Sequence, residues 1–462
     1  MTPYSCMTRE ELEREYGSVL ASYEACKAQG LNLNMARGKP ATEQLDMVSG
    51  LLTVLQTPED CYDDGVDARN YGELAGIPSA RRYWADVLGC KADQVFVGGA
   101  ASLNMMFDVV SRAYTHGLLH SPKPWCREEK VKFLCPAPGY DRHFQIGEFF
   151  GAELIPVPMT PEGPDMDMVE EVIKDPAVKG MWCVPKYSNP DGIVYSDEVI
   201  DRIAHLKPAA ADFLLMWDNA YCIHEFDGEF RPFRDILTLC SEAGNPDMVF
   251  EFASTSKITF PGSGVACFAC SEANMAYMKK LISAQTISFD KINQLRHALF
   301  LKDRATALAH MKKHAEFLKP KFDIVLEYLE REIKPLDIGR WHTPKGGYFV
   351  SFFTIPGCAK RTNQLAREAG VVMTAAGAVL VMFMMVLMVM VFVMIVMMVM
   401  LMLVLIMVMM VVMFVLVLII VVMMSAAALV IMVIMIMVVM MMFVVMIVTA
   451  ALVLIVIVMD VL

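Results

Sequence analysis

The chain has 462 residues, with 51 acidic and 40 basic side chains and a formal net charge of −11. That is long enough for two domains around a large core, and the acidic balance argues against a nucleic-acid partner, which needs a basic face. The 12 cysteines are scattered from Cys6 to Cys358 and the charged first 30 residues hold no apolar leader, so a cytoplasmic protein with reduced, mostly buried thiols is expected.

Residues 8–29 predict a helix, opened by Thr8 as N-cap with Glu11 in the capping-box place. Residues 33–40 (LNMARGKP) read as a loop, and 76–88 (GIPSARRYWADVL) as a helix. DQVFVGGAASLNMMFDVVSRAY then runs strand, glycine-rich turn, helix. Further strands are expected at 131–135, 152–157, 180–184, 212–217, 248–253 and 264–270, with amphipathic helical segments between several of them. Short apolar strands alternating with helices predict a mostly parallel α/β sheet. Residues 291–335 form a long charged helical region, and 346–353 (GGYFVSFF) a strand. Cys267 and Cys270 make a C-x-x-C inside the apolar run VACFAC, with no second pair. They read as core cysteines, and no metal site is expected.

From Val379 to Leu462 the composition changes. These 84 residues hold 24 of the 40 methionines, no Gly or Pro and one charge, Asp460, while every Lys and Arg lies at or before Arg367. A long apolar run ordinarily suggests a membrane span. Here no turn residues separate spans, no Lys or Arg flanks them, and no Trp or Tyr marks an interface. A string this uniform specifies neither register nor packing. It reads as an artefactual or artificial extension rather than a membrane anchor, and one prone to aggregate.

The residues that could carry chemistry fall in four places. STSK (254–257) follows an apolar strand. An amine on a rigid element, beside hydroxyls that can bind phosphate, suits imine chemistry, although a lone lysine is more often a solvated one. DNAY (218–221) follows FLLMW and puts a carboxylate and a phenol at a strand end, where α/β folds bind ligands. Alone, Asp218 would read as a helix N-cap. SNPDG (188–192) is a good turn in its own right, and its Asn189 side chain could also reach a ligand. VGGAAS (97–102) enters a helix N-terminus, which is either an anion site or a plain tight turn. His143, His224 and His342 are not spaced as ligands and read as structural or surface residues. Lys186, just before the SNPDG turn, reads first as lying outside the site, and Lys345 as solvated.

Taken in order, N-P-x-G, D-x-x-Y and S-x-S-K after a strand, glycine turn and helix resemble the fold-type I pyridoxal-phosphate aminotransferases over roughly residues 8–378. RGKP (37–40), NYGELAGIPSARR (70–82), PAPGYDRHF (136–144) and STSKITFPGSG resemble a bacterial subgroup related to aspartate aminotransferases. The resemblance implies an α/β fold with a mostly parallel seven-stranded large-domain sheet and a smaller α+β domain. Residues 1–45 would begin the small domain, 46–290 would form the large cofactor-binding domain, 291–378 a truncated small domain, and 379–462 the unassigned tail. It implies pyridoxal 5'-phosphate as cofactor. Lys257 would hold it and move the proton at the substrate Cα, and Asp218 would face the ring nitrogen. Tyr221 and Asn189 would hold O3′. Gly99, Ala100, Ala101 and Ser254 would surround the phosphate. Tyr71 would reach the phosphate of a neighbouring subunit, which implies a homodimer. Arg37 and Gly38 would lie at the substrate, and Tyr140 near the ring face.

Two departures from that pattern stand out. Where many relatives carry a phosphate-binding arginine, this chain has Gly264. Beyond Ala378 no arginine follows to grip the substrate α-carboxylate. The expected activity is transamination between aspartate and 2-oxoglutarate, impaired by that loss. Another pyridoxal-phosphate enzyme, such as a β-lyase, or a non-catalytic cofactor-binding protein are the alternatives, and a membrane protein is suggested only by the tail.

Overall fold

A computed structural model describes residues 2–36, 38–227, 229–374, 409, 412–415, 428 and 430–445. Arg37 lies outside the described residues. The chain divides into two compact units, Met1–Val379 and Leu380–Leu462. In the second, residues 430–445 are helical, and the side chains of Ile431, Met435 and Met442 are exposed. Among the described residues no helix is long and apolar enough to cross a membrane.

The first unit is built on a mixed sheet. Its strands in chain order are β1 (Val95–Val97), β2 (Lys132–Ala137), β3 (Glu153–Thr160), β4 (Gly163–Pro164), β5 (Val178–Cys183), β6 (Leu214–Asp218), β7 (Val249–Ser254) and β8 (Ala266–Ala269). They lie in the order β1-β8-β7-β6-β5-β2-β3-β4. The run from β7 through β6, β5 and β2 to β3 is parallel, β8 is antiparallel to both its neighbours, and β4 is antiparallel to β3. The sheet therefore has seven substantial strands, as expected, plus an eighth of two residues that the sequence reading missed. The β3–β4 connection is a tight hairpin in which the Thr160 hydroxyl donates to the Gly163 carbonyl at 2.9 Å. Two residues are too few to show a period of two in sequence.

Every residue of β5, β6 and β7 is buried, as central strands covered on both faces must be. Alternate side chains serve opposite cores. Leu215, Trp217, Val249 and Ala253 join one apolar cluster, while Leu214, Met216, Phe250 and Phe252 join the other. Helices cover both faces. One is Asp197–Ala204, which buries Val199, Ile200, Ile203 and Ala204; another is Ser102–Thr115, which buries Met105, Met106, Val109 and Val110. The sheet is thus held from both sides, and the C-terminal ends of β6 and β7 open toward one edge.

The amino-terminal helix runs Arg9–Lys27, and both halves of the Thr8–Glu11 capping box are formed. The Tyr23 hydroxyl reaches the Leu365 carbonyl at 3.2 Å on helix Ala359–Glu368, and Leu33–Asn34 pairs with Val371–Val372. The two ends of the unit are thereby joined. The predicted helical region 291–335 is divided into Lys291–Leu301 and Arg304–Tyr328, with Lys302 at φ 58° between them. The predicted strand 346–353 is reduced to Phe352–Thr354. Gly347 takes φ +83°, a left-handed turn that no extended strand accommodates.

Candidate active site

The carboxylate of Asp218, the last residue of β6, is 3% exposed. Its Oδ2 accepts from His143 Nε2 at 2.9 Å, and the imidazole is stacked on Trp182 with ring centroids 4.6 Å apart. Its Oδ1 is buried and has no protein partner among the described residues. A buried carboxylate oxygen without a donor is costly unless a ligand supplies one. One turn later Tyr221 is buried, and burial together with the Asp218 charge holds its phenol well above the ordinary range.

Lys257 sits just past β7, with Nζ 4.7 Å from the centroid of the Tyr221 ring. Burial lowers its ammonium below the ordinary value, while Asp218 and Tyr140 pull it back up. An amine kept off its full charge is a better nucleophile than a solvated lysine. The loop that carries it is fixed at its base. The Thr255 amide donates to the Val265 carbonyl and the Val265 amide to the Thr255 hydroxyl, both at 2.9 Å. Ile258 and Thr259 amides turn back onto the Thr255 carbonyl at 2.9 and 2.8 Å.

β8 brings the glycine turn to the same edge. The Gly98 amide donates to the Ala266 carbonyl, and the Ala266 amide to the Gly99 carbonyl, both at 2.9 Å. Gly99, Ala100 and Ala101 lead into Ser102–Thr115, whose first turn receives no side-chain cap. The Asn104 amide donates to the Ala101 carbonyl at 3.1 Å, and the amides before it are left for an anion. Ser254 ends β7, its hydroxyl donating to Ser256 Oγ at 3.1 Å. A Cβ built on Gly264 would lie 2.6 Å from the Ala100 carbonyl oxygen, so this backbone leaves no room there for a long basic side chain.

Lys257, Asp218, Tyr221 and Tyr140 are thus brought together. Asn189 and Tyr140 line one small cavity with His143, Trp182 and Tyr195. Tyr71 stands apart, 81% exposed, on a loop braced by Lys291, which donates to the carbonyls of Asn70 and Gly72. Gly38 packs against Tyr348 and Phe349.

Two histidines read as structural or surface residues lie beside these groups. His143 is buried on Asp218. His224 is buried beside Tyr221 with both ring nitrogens unpaired among the described residues, and burial holds its pKa well below the ordinary value. Lys186 is a buried structural residue, donating to Glu225 at 2.5 Å and to the Cys222 and Arg231 carbonyls, each at 2.9 Å. Lys345 is exposed as expected, and Cys267 and Cys270 are buried core thiols. No group of residues that could hold a metal is found among the described residues.

Glu251 was not anticipated, although an acid inside the apolar run MVFEFAS was a visible signal. It lies on β7, accepts from Asn219 Nδ2 at 2.9 Å, and burial pushes its carboxyl up to about 8. The folded chain therefore keeps a proton that the unfolded chain loses above its ordinary 4.5. Stability should fall as pH rises between those values, by up to about 1.4 kcal/mol per pH unit from this group. Glu251→Gln keeps an oxygen for Asn219 and should flatten that slope in urea unfolding at pH 5, 6.5 and 8. Parallel profiles for the two proteins would refute the assignment.

The family model for aspartate amino-transferase matches residues 7–382. An aspartate aminotransferase from Corynebacterium glutamicum is 46% identical over 356 residues, covering 77% of this chain and 82% of that protein. A crystal structure of an aspartate transaminase from the same organism superimposes with a TM-score of 0.78 at 45% identity, over 80% of this chain and 88% of that one. The α-aminoadipate aminotransferase LysN of Thermus thermophilus, solved with N-(5'-phosphopyridoxyl)-L-leucine, shares the fold with a TM-score of 0.59 at 22% identity, over 75% and 84%.

Proposed function

Because the chain belongs to the aspartate aminotransferase family of fold-type I, pyridoxal-phosphate-dependent enzymes, we propose that it moves the amino group of aspartate to 2-oxoglutarate, with Lys257 as the residue that holds the cofactor. The observation that carries the proposal is the meeting of the Lys257 amine and the Tyr221 ring with a buried Asp218 oxygen that lacks a donor among the described residues.

The residues fit that cofactor. The orphan Asp218 Oδ1 suits a protonated ring nitrogen, and the uncapped turn at Ala101 together with Ser254 suits a phosphate. With Gly264 in place of an arginine, amides and hydroxyls carry that task. When bound, pyridoxal phosphate supplies an electrophilic aldehyde and a ring that draws electrons from the substrate α-carbon. Asp218, held by His143, keeps the ring nitrogen protonated. Tyr221 and Asn189 orient the ring oxygen. Lys257 carries the proton at the substrate Cα, for which an ammonium lowered by burial is favourable. Arg37 and Gly38 border the substrate. Tyr71, exposed on its braced loop, serves the phosphate of a second copy, so the working form is a homodimer in the cytoplasm.

No arginine follows Arg367, so the substrate α-carboxylate lacks a bidentate clamp. Losing such a buried charge pair removes about 2–5 kcal/mol of binding, or roughly 30- to 4,000-fold in affinity. Incubation with pyridoxal phosphate, aspartate and 2-oxoglutarate should yield glutamate slowly, with a KM for aspartate raised by that factor over the C. glutamicum relative. An ordinary KM would refute the impairment. Release of pyruvate and ammonia from a substrate with a β-leaving group, without glutamate formation, would favour a β-lyase instead.

A further inference from the structure

We propose that Tyr348 is a substrate-binding residue, its phenol donating a hydrogen bond to a carboxylate of the amino-acid substrate and oriented for that purpose by Gln44. The inference rests on the reading of Lys257 and Asp218 given above.

Gln44 is 1% exposed. Its Oε1 accepts from the Ala41 amide at 3.1 Å, which turns its NH2 toward two acceptors, His314 Nδ1 at 3.0 Å and the Tyr348 hydroxyl at 3.1 Å. The reverse amide orientation would set NH2 against the Ala41 N–H. With Nδ1 accepting, His314 carries its proton on Nε2 and donates it to His310 Nε2 at 3.1 Å. The Tyr348 oxygen therefore receives a hydrogen bond, and its own proton has no protein acceptor among the described residues.

That proton lies where a substrate would. The Tyr348 ring centroid is 6.5 Å from that of Tyr221 and 6.2 Å from that of His224. A Cβ on Gly38 would come 3.0 Å from the Tyr348 Cβ, so the tyrosine adjoins Gly38. Burial pushes the phenol up to about 12, although the Gln44 bond lowers it. It stays protonated, and hence a donor, throughout the working range. A neutral donor in a buried site can bind a carboxylate without adding a second charge beside Lys257.

Tyr348→Phe removes only the hydroxyl. It should weaken binding of maleate, a dicarboxylate read by its effect on the absorbance of the bound cofactor, by roughly 10- to 100-fold, the value of a hydrogen bond to a charged group. The KM for aspartate should rise by a similar factor, with kcat and the cofactor spectrum little changed. Gln44→Glu offers only acceptors, captures the phenolic proton and should weaken maleate binding although the tyrosine is present. Adding Tyr348→Phe to it should then cost nothing more. Parent-like maleate affinity in Tyr348→Phe overturns the proposal, as does a loss of thermal stability with unchanged KM. A parent without a cofactor band overturns the assignment of Lys257 and this one with it. A normal band with unchanged maleate affinity in the variant overturns only the role of Tyr348.

Discussion

Lys257→Ala protein mixed with pyridoxal phosphate is expected to show no protein-bound visible band, and its transaminase rate should fall at least about 10⁴-fold. The amine serves both as nucleophile toward the cofactor and as proton carrier at Cα, and proton transfer by a placed group alone contributes roughly 10²- to 10⁴-fold. Borohydride treatment should attach the cofactor covalently to the parent and leave the variant unlabelled. The fold should survive. Burial already disfavours the charged amine, so its removal relieves a cost rather than creating one. A variant that retained the band would transfer the role to another lysine. Lys186, just before the SNPDG turn, is committed to Glu225 and two carbonyls.

Asp218→Asn should separate cofactor capture from catalysis. Lys257 remains, so the cofactor is still linked and a band persists. An amide cannot hold a proton on the ring nitrogen, and the loss of a preorganised charge at a reacting group is worth about 10²- to 10³-fold in kcat. Asp218→Ala should show the same loss together with reduced stability, by about 1–3 kcal/mol, because His143 Nε2 is left buried without its acceptor. Steady-state rates and urea unfolding of both variants provide the check. Parent-like kcat in Asp218→Asn would remove the carboxylate from the mechanism.

What the sequence displayed and what it hid divide along a physical line. Thr8 and Glu11 lie three residues apart and cap a helix wherever it sits. STSK and DNAY each close a strand, so the sheet alone carries Lys257 and Asp218 to one edge. The apolar run of β6, and those of β5 and β7 interrupted by Lys179 and Glu251, announce burial on both faces. Contacts made across the chain were not legible. His143 meets Asp218 across 75 positions and Gln44 meets His314 across 270, and no local pattern encodes either. The strand expected at 346–353 failed for a different reason. Its apolar content is right, but Gly347 turns the backbone out of line, and a glycine in a strand pattern signals a bend as readily as a pleat.

The closed base of the Lys257 loop bears on how the cofactor arrives. The Thr255 amide binds the Val265 carbonyl, the Val265 amide binds the Thr255 hydroxyl, and the peptides after the lysine fold back on the Thr255 carbonyl, so protein contacts alone set the nucleophile's main chain. Ordering one residue costs about 1–2 kcal/mol of conformational entropy, and this loop has met that cost during folding. The free energy of cofactor capture is then available for holding the ring in place.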